Sequence, residues 1–193
     1  MTLSCTTVFA QDDYEALLTG KKLRFSAFAA SLFEFSAVNQ SFGFSSGWGG
    51  AVLLNQTIFI GGYKLNLAPV NSDNLVLDGT AYTNSEIEFN HGGLWFGYIN
   101  NHRKLVHFGA SARFGWGRIS IDDPLLTDAY EDNVLVITPQ VEAEVNIAKW
   151  FKINGGVGYR IVSGVNEAVM KNADFNSPTA TVSFMFGWFR QRK

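Results

Sequence analysis

The sequence predicts an all-β fold, an eight-stranded antiparallel up-and-down transmembrane β-barrel. Three observations carry that expectation. From Lys22 onward apolar residues alternate with period two, in runs near 22–38, 41–54, 57–69, 86–99, 104–121, 133–148, 150–164 and 177–189. Most of these runs exceed the about 5–6 residues of a globular strand and the roughly 9–11 that cross a bilayer at a tilt. The connections then alternate in length: after a short first turn at Asn39-Gln40, tight links at 55–56, 100–103 and 148–149 separate long, polar links at 70–85, 122–132 and 165–176. Short periplasmic turns opposite longer external loops give that rhythm in an outer-membrane barrel, and an even strand number puts both termini on the periplasmic side.

Composition agrees. Hydrophobic residues make up 47% of the 193 and charged residues only 17%, against about 25% in a soluble domain. With 17 Phe and 19 Gly, the chain is neither disordered, coiled-coil nor collagen-like. Its length suits one domain. Mean hydropathy is +0.04, and no apolar run nears the ~18 residues of a membrane-spanning helix. A net charge of −2 leaves no basic footprint for nucleic acid. The single cysteine, Cys5, excludes a disulfide framework and a CxxC metal site.

Along the chain, residues 1–10 read as a truncated signal peptide: small residues at Val8 and Ala10 precede the polar Gln11-Asp12-Asp13. Residues 11–21 form a periplasmic segment with one or two helical turns before Gly20. The barrel occupies 22–189, and 190–193 is a basic tail, Arg190-Gln191-Arg192-Lys193. In run 104–121, His107, Gly109, Ser111, Arg113 and Gly115 oppose Val106, Phe108, Ala110, Ala112, Phe114 and Trp116. In run 133–148, Val134, Val136, Thr138, Gln140, Glu142, Glu144 and Asn146 share a face. In run 150–164, Lys152, Asn154, Gly156, Gly158 and Arg160 oppose Phe151, Ile153, Val157, Tyr159 and Ile161. Run 86–99 is ambiguous, with a bulge at Gly92-Gly93 able to switch its faces. In the last run Val182, Phe184, Phe186 and Trp188 alternate with Ser183, Met185, Gly187 and Phe189.

The two faces differ in kind. The polar faces carry Arg24, Lys64, Arg113, Lys152 and Arg160 against Glu34, Glu86, Glu88, Glu142 and Glu144, among Ser, Gly, Asn and Thr. An eight-stranded interior has room only for packed side chains. The expectation is a narrow lumen filled by ion pairs, with a structural network of Arg24, Glu34, Lys64, Arg113, Glu142, Glu144, Lys152 and Arg160. The apolar faces carry the Phe, Trp, Tyr, Val and Ile of a lipid-facing band, with Trp48, Trp95, Trp116, Trp150, Tyr98 and Trp188 as aromatic girdles. A lipocalin-like soluble barrel would need these faces inverted.

Several stretches then show a resemblance: Gly47-Trp48-Gly49-Gly50, Ile60-Gly61-Gly62-Tyr63, the run from Gly92 to Tyr98, Lys104-Leu105-Val106-His107-Phe108, the run from Gly158 to Gly164, and the final Phe186-Gly187-Trp188-Phe189. Over about residues 22–189 the chain resembles small outer-membrane β-barrel proteins of Bacteroidota. The aromatic-alternating last strand resembles the signal read by the barrel-assembly machinery; the basic tail departs from that pattern. The resemblance implies fold and outer-membrane location and supplies no catalytic residue.

No catalytic, cofactor or metal site is expected. His91, His102 and His107 fall in no metal-ligand spacing. His107 and Ser111 share a face, but four residues at about 3.3 Å each put them roughly 13 Å apart, beyond hydrogen-bond reach. Glu142 with Glu144, and Glu86 with Glu88, read as ion-pair partners of Arg113, Arg160 and Lys64 before they read as a cation site or an acid–base pair. The Asn39 and Asn55 sequons sit in turns, and the Gly115-Trp116-Gly117 and Gly156-Val157-Gly158 pairs precede no helix. The chain is thus expected to be a monomeric, non-enzymatic protein surrounded by outer-membrane lipid, with recognition of an external ligand carried by the long loops. The alternatives are a membrane-embedded lipid-modifying enzyme and a soluble ligand-binding barrel.

Overall fold

The structure, a computed structural model, describes residues 23–72, 75–77, 80–82, 85–102, 104–122, 130–165 and 170–189. The leader expected over 1–10, the segment expected over 11–21 and the tail at 190–193 lie outside them. The strands are β1 (Phe25–Val38), β2 (Ser41–Leu54), β3 (Ile58–Leu67), β4 (Val70–Ser72), β5 (Leu75–Leu77), β6 (Thr80–Tyr82), β7 (Ser85–Ile99), β8 (Val106–Asp122), β9 (Tyr130–Asn146), β10 (Phe151–Ser163) and β11 (Ser177–Gly187), with one short helix, α1 (Asn172–Phe175).

Eight of the strands close a barrel. The antiparallel order runs β3-β2-β1-β11-β10-β9-β8-β7, and β3 pairs with β7 to complete the ring. Alternation drives this arrangement, because one face of each strand is sealed inside while the other meets the surroundings. Along β1, Phe28, Ala30, Leu32, Glu34, Ser36 and Val38 are buried and the residues between them are open. Full closure also leaves no ladder edge unpaired, which a strand in hydrocarbon requires.

Turn chemistry fixes two hairpins. Asn39 and Gln40 have φ of 47° and 62°, and Asn55 and Gln56 have 53° and 59°. Two successive left-handed residues make the type I′ turn whose twist matches the flanking strands. At the first, Val38 faces Ser41; at the second, the Thr57 N–H donates to the Leu54 carbonyl at 3.0 Å.

Two segments expected as loop carry structure. Past Pro69, which has no N–H to donate, pairing with β7 resumes one residue out of step: Asn66 faces Asn90, yet Val70 faces Ile87. Leu67 and Val70 therefore both point inward, β4 prolongs the wall, and β5 and β6 pair as a small hairpin beyond it. The 165–176 segment holds α1, which folds over the mouth and buries Phe175 completely. The bulge considered at Gly92-Gly93 is absent, since β7 pairs with β3 and with β8 in unbroken register through both glycines.

The interior is not uniformly polar. At the end bearing the long connections, Val38, Leu67, Val70, Ile87, Phe89, Ile119, Ile121, Val134, Val136 and Val162 join Val165, Met170 and Phe175 in one apolar cluster. Nearer the termini, Phe28, Leu32, Leu53, Phe59, Leu65, Trp95, Ile99, Met185 and Phe189 form a second. The second lines the side made by β11, β1, β2, β3 and β7. The polar residues come mainly from β8, β9, β10 and β11, with the charged ones of β8 and β10 reaching Glu34 of β1.

Candidate functional site

Inward parity on β8, β9 and β10 places Arg113, Gln140, Glu142, Glu144, Lys152, Asn154 and Arg160 in the lumen, all buried. At its centre Glu34, fully buried, receives Arg113 Nη2 on Oε2 and Arg160 Nη1 on Oε1 at 3.2 Å. Arg160 also donates to Ser36 Oγ, the Ala37 carbonyl and the Phe175 carbonyl, each at 3.0 Å. The cap formed by α1 is thus tied into the same network. Arg113 lies over the Tyr63 ring and Arg160 over the Phe89 ring, at 5.5 and 5.2 Å, a face that attracts cations.

Towards the termini, Arg113 Nη2 donates to Gln140 Oε1 at 3.2 Å, and Gln140 Nε2 donates onward to Glu142 Oε1. Glu142 further accepts from Ser111 Oγ at 2.6 Å and Asn154 Nδ2 at 2.9 Å. Glu144 accepts from Lys152 Nζ and lies 2.8 Å from His107 Nε2. Lys152 sits 4.2 Å over the Phe189 ring. Three carboxylates, two guanidiniums and an ammonium are therefore packed with amides and hydroxyls into a narrow interior. A buried charge without a hydrogen-bonded partner is costly, and each of these has at least one.

Two residues expected in this network lie elsewhere. Lys64 is exposed on the outer wall, because β3 directs Phe59, Tyr63, Leu65 and Leu67 inward and the even positions outward. Arg24 is half-buried just before β1; its N–H donates to Asn55 Oδ1 at 3.2 Å, and it enters no ion pair among the described residues. Glu142 is held by neutral donors rather than by the cations expected to pair with it. Glu86 and Glu88 stand at outward positions of β7, since Ile87 and Phe89 point in. Trp95 is not a girdle residue: it is 1% exposed and packs edge-on against Phe28 and Phe59. Trp48, Tyr98, Trp116, Trp150 and Trp188 are exposed on the wall.

The expectation missed Tyr63 and His91, whose hydroxyl and Nδ1 lie 3.1 Å apart in the lumen. Alternation does not mark them: both faces of β3 are largely apolar, and beside His91 the polar Glu86, Glu88 and Asn90 stand on the outer face while Ile87 and Phe89 point in. Ser111 donates a hydrogen bond to Glu142 and accepts from Gln140 and Trp95, while His107 turns to Glu144 and the Lys104 carbonyl. The two are thus engaged by different carboxylates. Among the described residues no three His, Cys, Asp or Glu side chains gather as a metal site would need.

The outer wall has its own order. On β8, Val106, Phe108, Ala110, Ala112 and Phe114 give way to Trp116 and then Arg118. On β7, Tyr98, Phe96 and Leu94 give way to Gly92 and then Asn90. On β9, Ile137 and Leu135 give way to Asn133 and Glu131. Gly92 faces Trp116, and Trp116 faces Leu135, so the change falls on one row across the sheet. Lys64 lies on that row beside Gly92. A Lys on the lipid face costs about 2–4 kcal/mol at a bilayer's midplane and about 0–1 near its surface, so this boundary is where the wall tolerates one.

No family model and no curated protein sequence matches the chain. Solved structures do match in fold. Neisserial surface protein A superposes with a TM-score of 0.60 at 12% identity, covering 88% of this chain and 100% of that one. The N-terminal β-barrel domain of Pseudomonas aeruginosa OprF gives 0.56 at 8% identity, covering 84% and 96%. A major outer membrane protein from Thermus thermophilus gives 0.50 at 11%, covering 83% and 99%. The chain therefore has the outer-membrane β-barrel fold.

Proposed function

We propose that this protein is a non-enzymatic, non-conducting barrel of the bacterial outer membrane, serving a structural or surface-interaction role. The observation that carries the reading is the filled lumen. Glu34 and Arg113 meet across the interior, and an apolar cluster closed by Phe175 lies above them. One charged layer and one apolar layer stacked across the interior support a closed lumen. Recognition then falls to the external end, at 39–40, 73–84, 123–129 and 164–176, on a rigid scaffold of the kind that usually carries binding loops. The exposed aromatic and aliphatic wall supports residence in lipid. The outward row Val182, Phe184 and Phe186 of β11 supports delivery by the barrel-assembly machinery, and the closed ring supports a monomer. The motifs from Gly47 to Phe189 support membership of the small Bacteroidota barrels.

Two measurements test this. Extracted from membranes, the chain should show a mobility shift on gels with and without boiling in detergent. In planar bilayers it should give no steady conductance. Ohmic steps from the unaltered protein would overturn the closed-lumen reading.

A further inference from the structure

The outer wall holds a second feature, independent of the lumen. Trp48, Lys64, Gly92 and Trp116 follow one another across β2, β3, β7 and β8; on β3, β7 and β8 the wall turns polar beyond this row, while on β2 the outer face continues through Ser46 to Phe44 and Phe42. The two indoles stand three strands apart, roughly 14 Å at the usual strand spacing. Between them Gly92 has no side chain, and the surface sinks into a notch of about 450 Å³ that Asn90 and Arg118 border on its polar side. The notch is built into the backbone packing, since a Cβ on Gly92 would lie 2.7 Å from the Tyr63 carbonyl oxygen.

The charges at this notch point to its occupant. Lys64 enters no ion pair among the described residues. Arg118 meets Glu131 at 3.0 Å on the exposed surface, and among the described residues this occupies few of its five donors. Two cations and an amide beside an apolar floor between exposed indoles complement a molecule with an anionic oxygen-rich head and hydrocarbon below it. On an outer-membrane barrel, this end of the wall meets the outer leaflet. We infer that the notch is a binding site for a phosphate-bearing lipid of that leaflet, with Lys64 and Arg118 on the phosphate and Trp48 and Trp116 flanking the chains. The inference rests on the membrane placement proposed above and not on the closed lumen.

The test is native mass spectrometry of the full chain in detergent, titrated with dioleoyl phosphatidic acid, with dioleoylglycerol (the same chains without phosphate) or with inorganic phosphate. One phosphatidic acid should be retained, at least about tenfold more tightly than dioleoylglycerol, a difference of about 1.4 kcal/mol. A Lys64→Gln/Arg118→Gln variant should fall to the dioleoylglycerol level, and Lys64→Arg should keep the preference. The heat-dependent gel shift verifies the barrel in each case, and Lys64→Gln alone serves if the double variant lacks the shift. Equal retention of both lipids by a correctly shifting barrel overturns the site alone, as does undiminished binding by the variant. Displacement of the lipid by millimolar inorganic phosphate overturns the lipid in favour of a free anion. A wild-type chain without the shift overturns the membrane placement and the site with it.

Discussion

Glu34 and Arg113 stand on strands four places apart around a ring of eight, so their ion pair lies along a diameter of the barrel. No sheet hydrogen bond joins β1 to β8, and the pair ties opposite walls directly. Arg160, two strands from β1, reaches the other carboxylate oxygen at 3.2 Å. Glu34 is thus the single anion between two buried guanidiniums. Replacing it with Gln leaves both cations uncompensated, and breaking a buried pair costs about 3–5 kcal/mol. The Glu34→Gln variant should unfold at clearly lower denaturant concentration in detergent micelles; an unchanged midpoint would show that the pair is not needed.

Glu142 and Glu144 should respond unequally. Glu144 serves Lys152 and His107, whereas Glu142 is held by Ser111, Gln140 and Asn154. Glu144→Gln is expected to cost about 3–5 kcal/mol through the stranded charge. Glu142→Gln, which strands no cation but sets an amide N–H against one of those neutral donors, should cost about 1–3 kcal/mol. Chemical unfolding of the two single variants decides it, and the opposite order would refute this account of the lumen.

Much of this is legible in the sequence, though unevenly. On β8, β9 and β10 the polar side is strongly polar and the lipid side strongly apolar, so residues such as Arg113, Glu144, Lys152 and Arg160 can be assigned inward from alternation alone. On β3 and β7 the contrast disappears, because Phe59, Leu65 and Trp95 face inward while Ile58, Ile60 and Phe96 face out. With both faces apolar, alternation does not fix parity, and it puts Lys64 and Trp95 each on the wrong side. The partner of each carboxylate depends on strand order and register around the ring, which alternation within one strand does not encode.

The placement of Trp95 is directly testable. Four single-tryptophan variants retaining Trp48, Trp116, Trp150 or Trp188 should lose fluorescence in vesicles containing brominated lipid. The variant retaining Trp95 should not. Truncation should separate them too: Trp95→Ala removes a core aromatic in contact with Phe28 and Phe59 and should cost about 3–5 kcal/mol. Quenching of Trp95 comparable to that of Trp150 would contradict its inward orientation.

Close backbone approach gives a further contrast. A Cβ on Gly61 would sit 1.9 Å from the Gly50 carbonyl oxygen, while one on Gly155 would meet nothing within 4 Å. Gly61→Ala should therefore yield no heat-shifted band. Gly155→Ala should fold and gain roughly 0.5–1 kcal/mol from the stiffer unfolded chain. A folded Gly61→Ala barrel of normal stability would mean that β2 and β3 can separate at this point.

The seam between β1 and β11, where Phe28 faces Gly187, sets the timing of assembly. The ring is closed by the first and last barrel strands, so a partly exported chain cannot form it and would present two bare edges. Such edges template aggregation. Closure therefore waits for β11 and is a single late event over nearly the whole described length. Truncation before Ser177 should leave a substrate for chaperones and proteases rather than a smaller barrel.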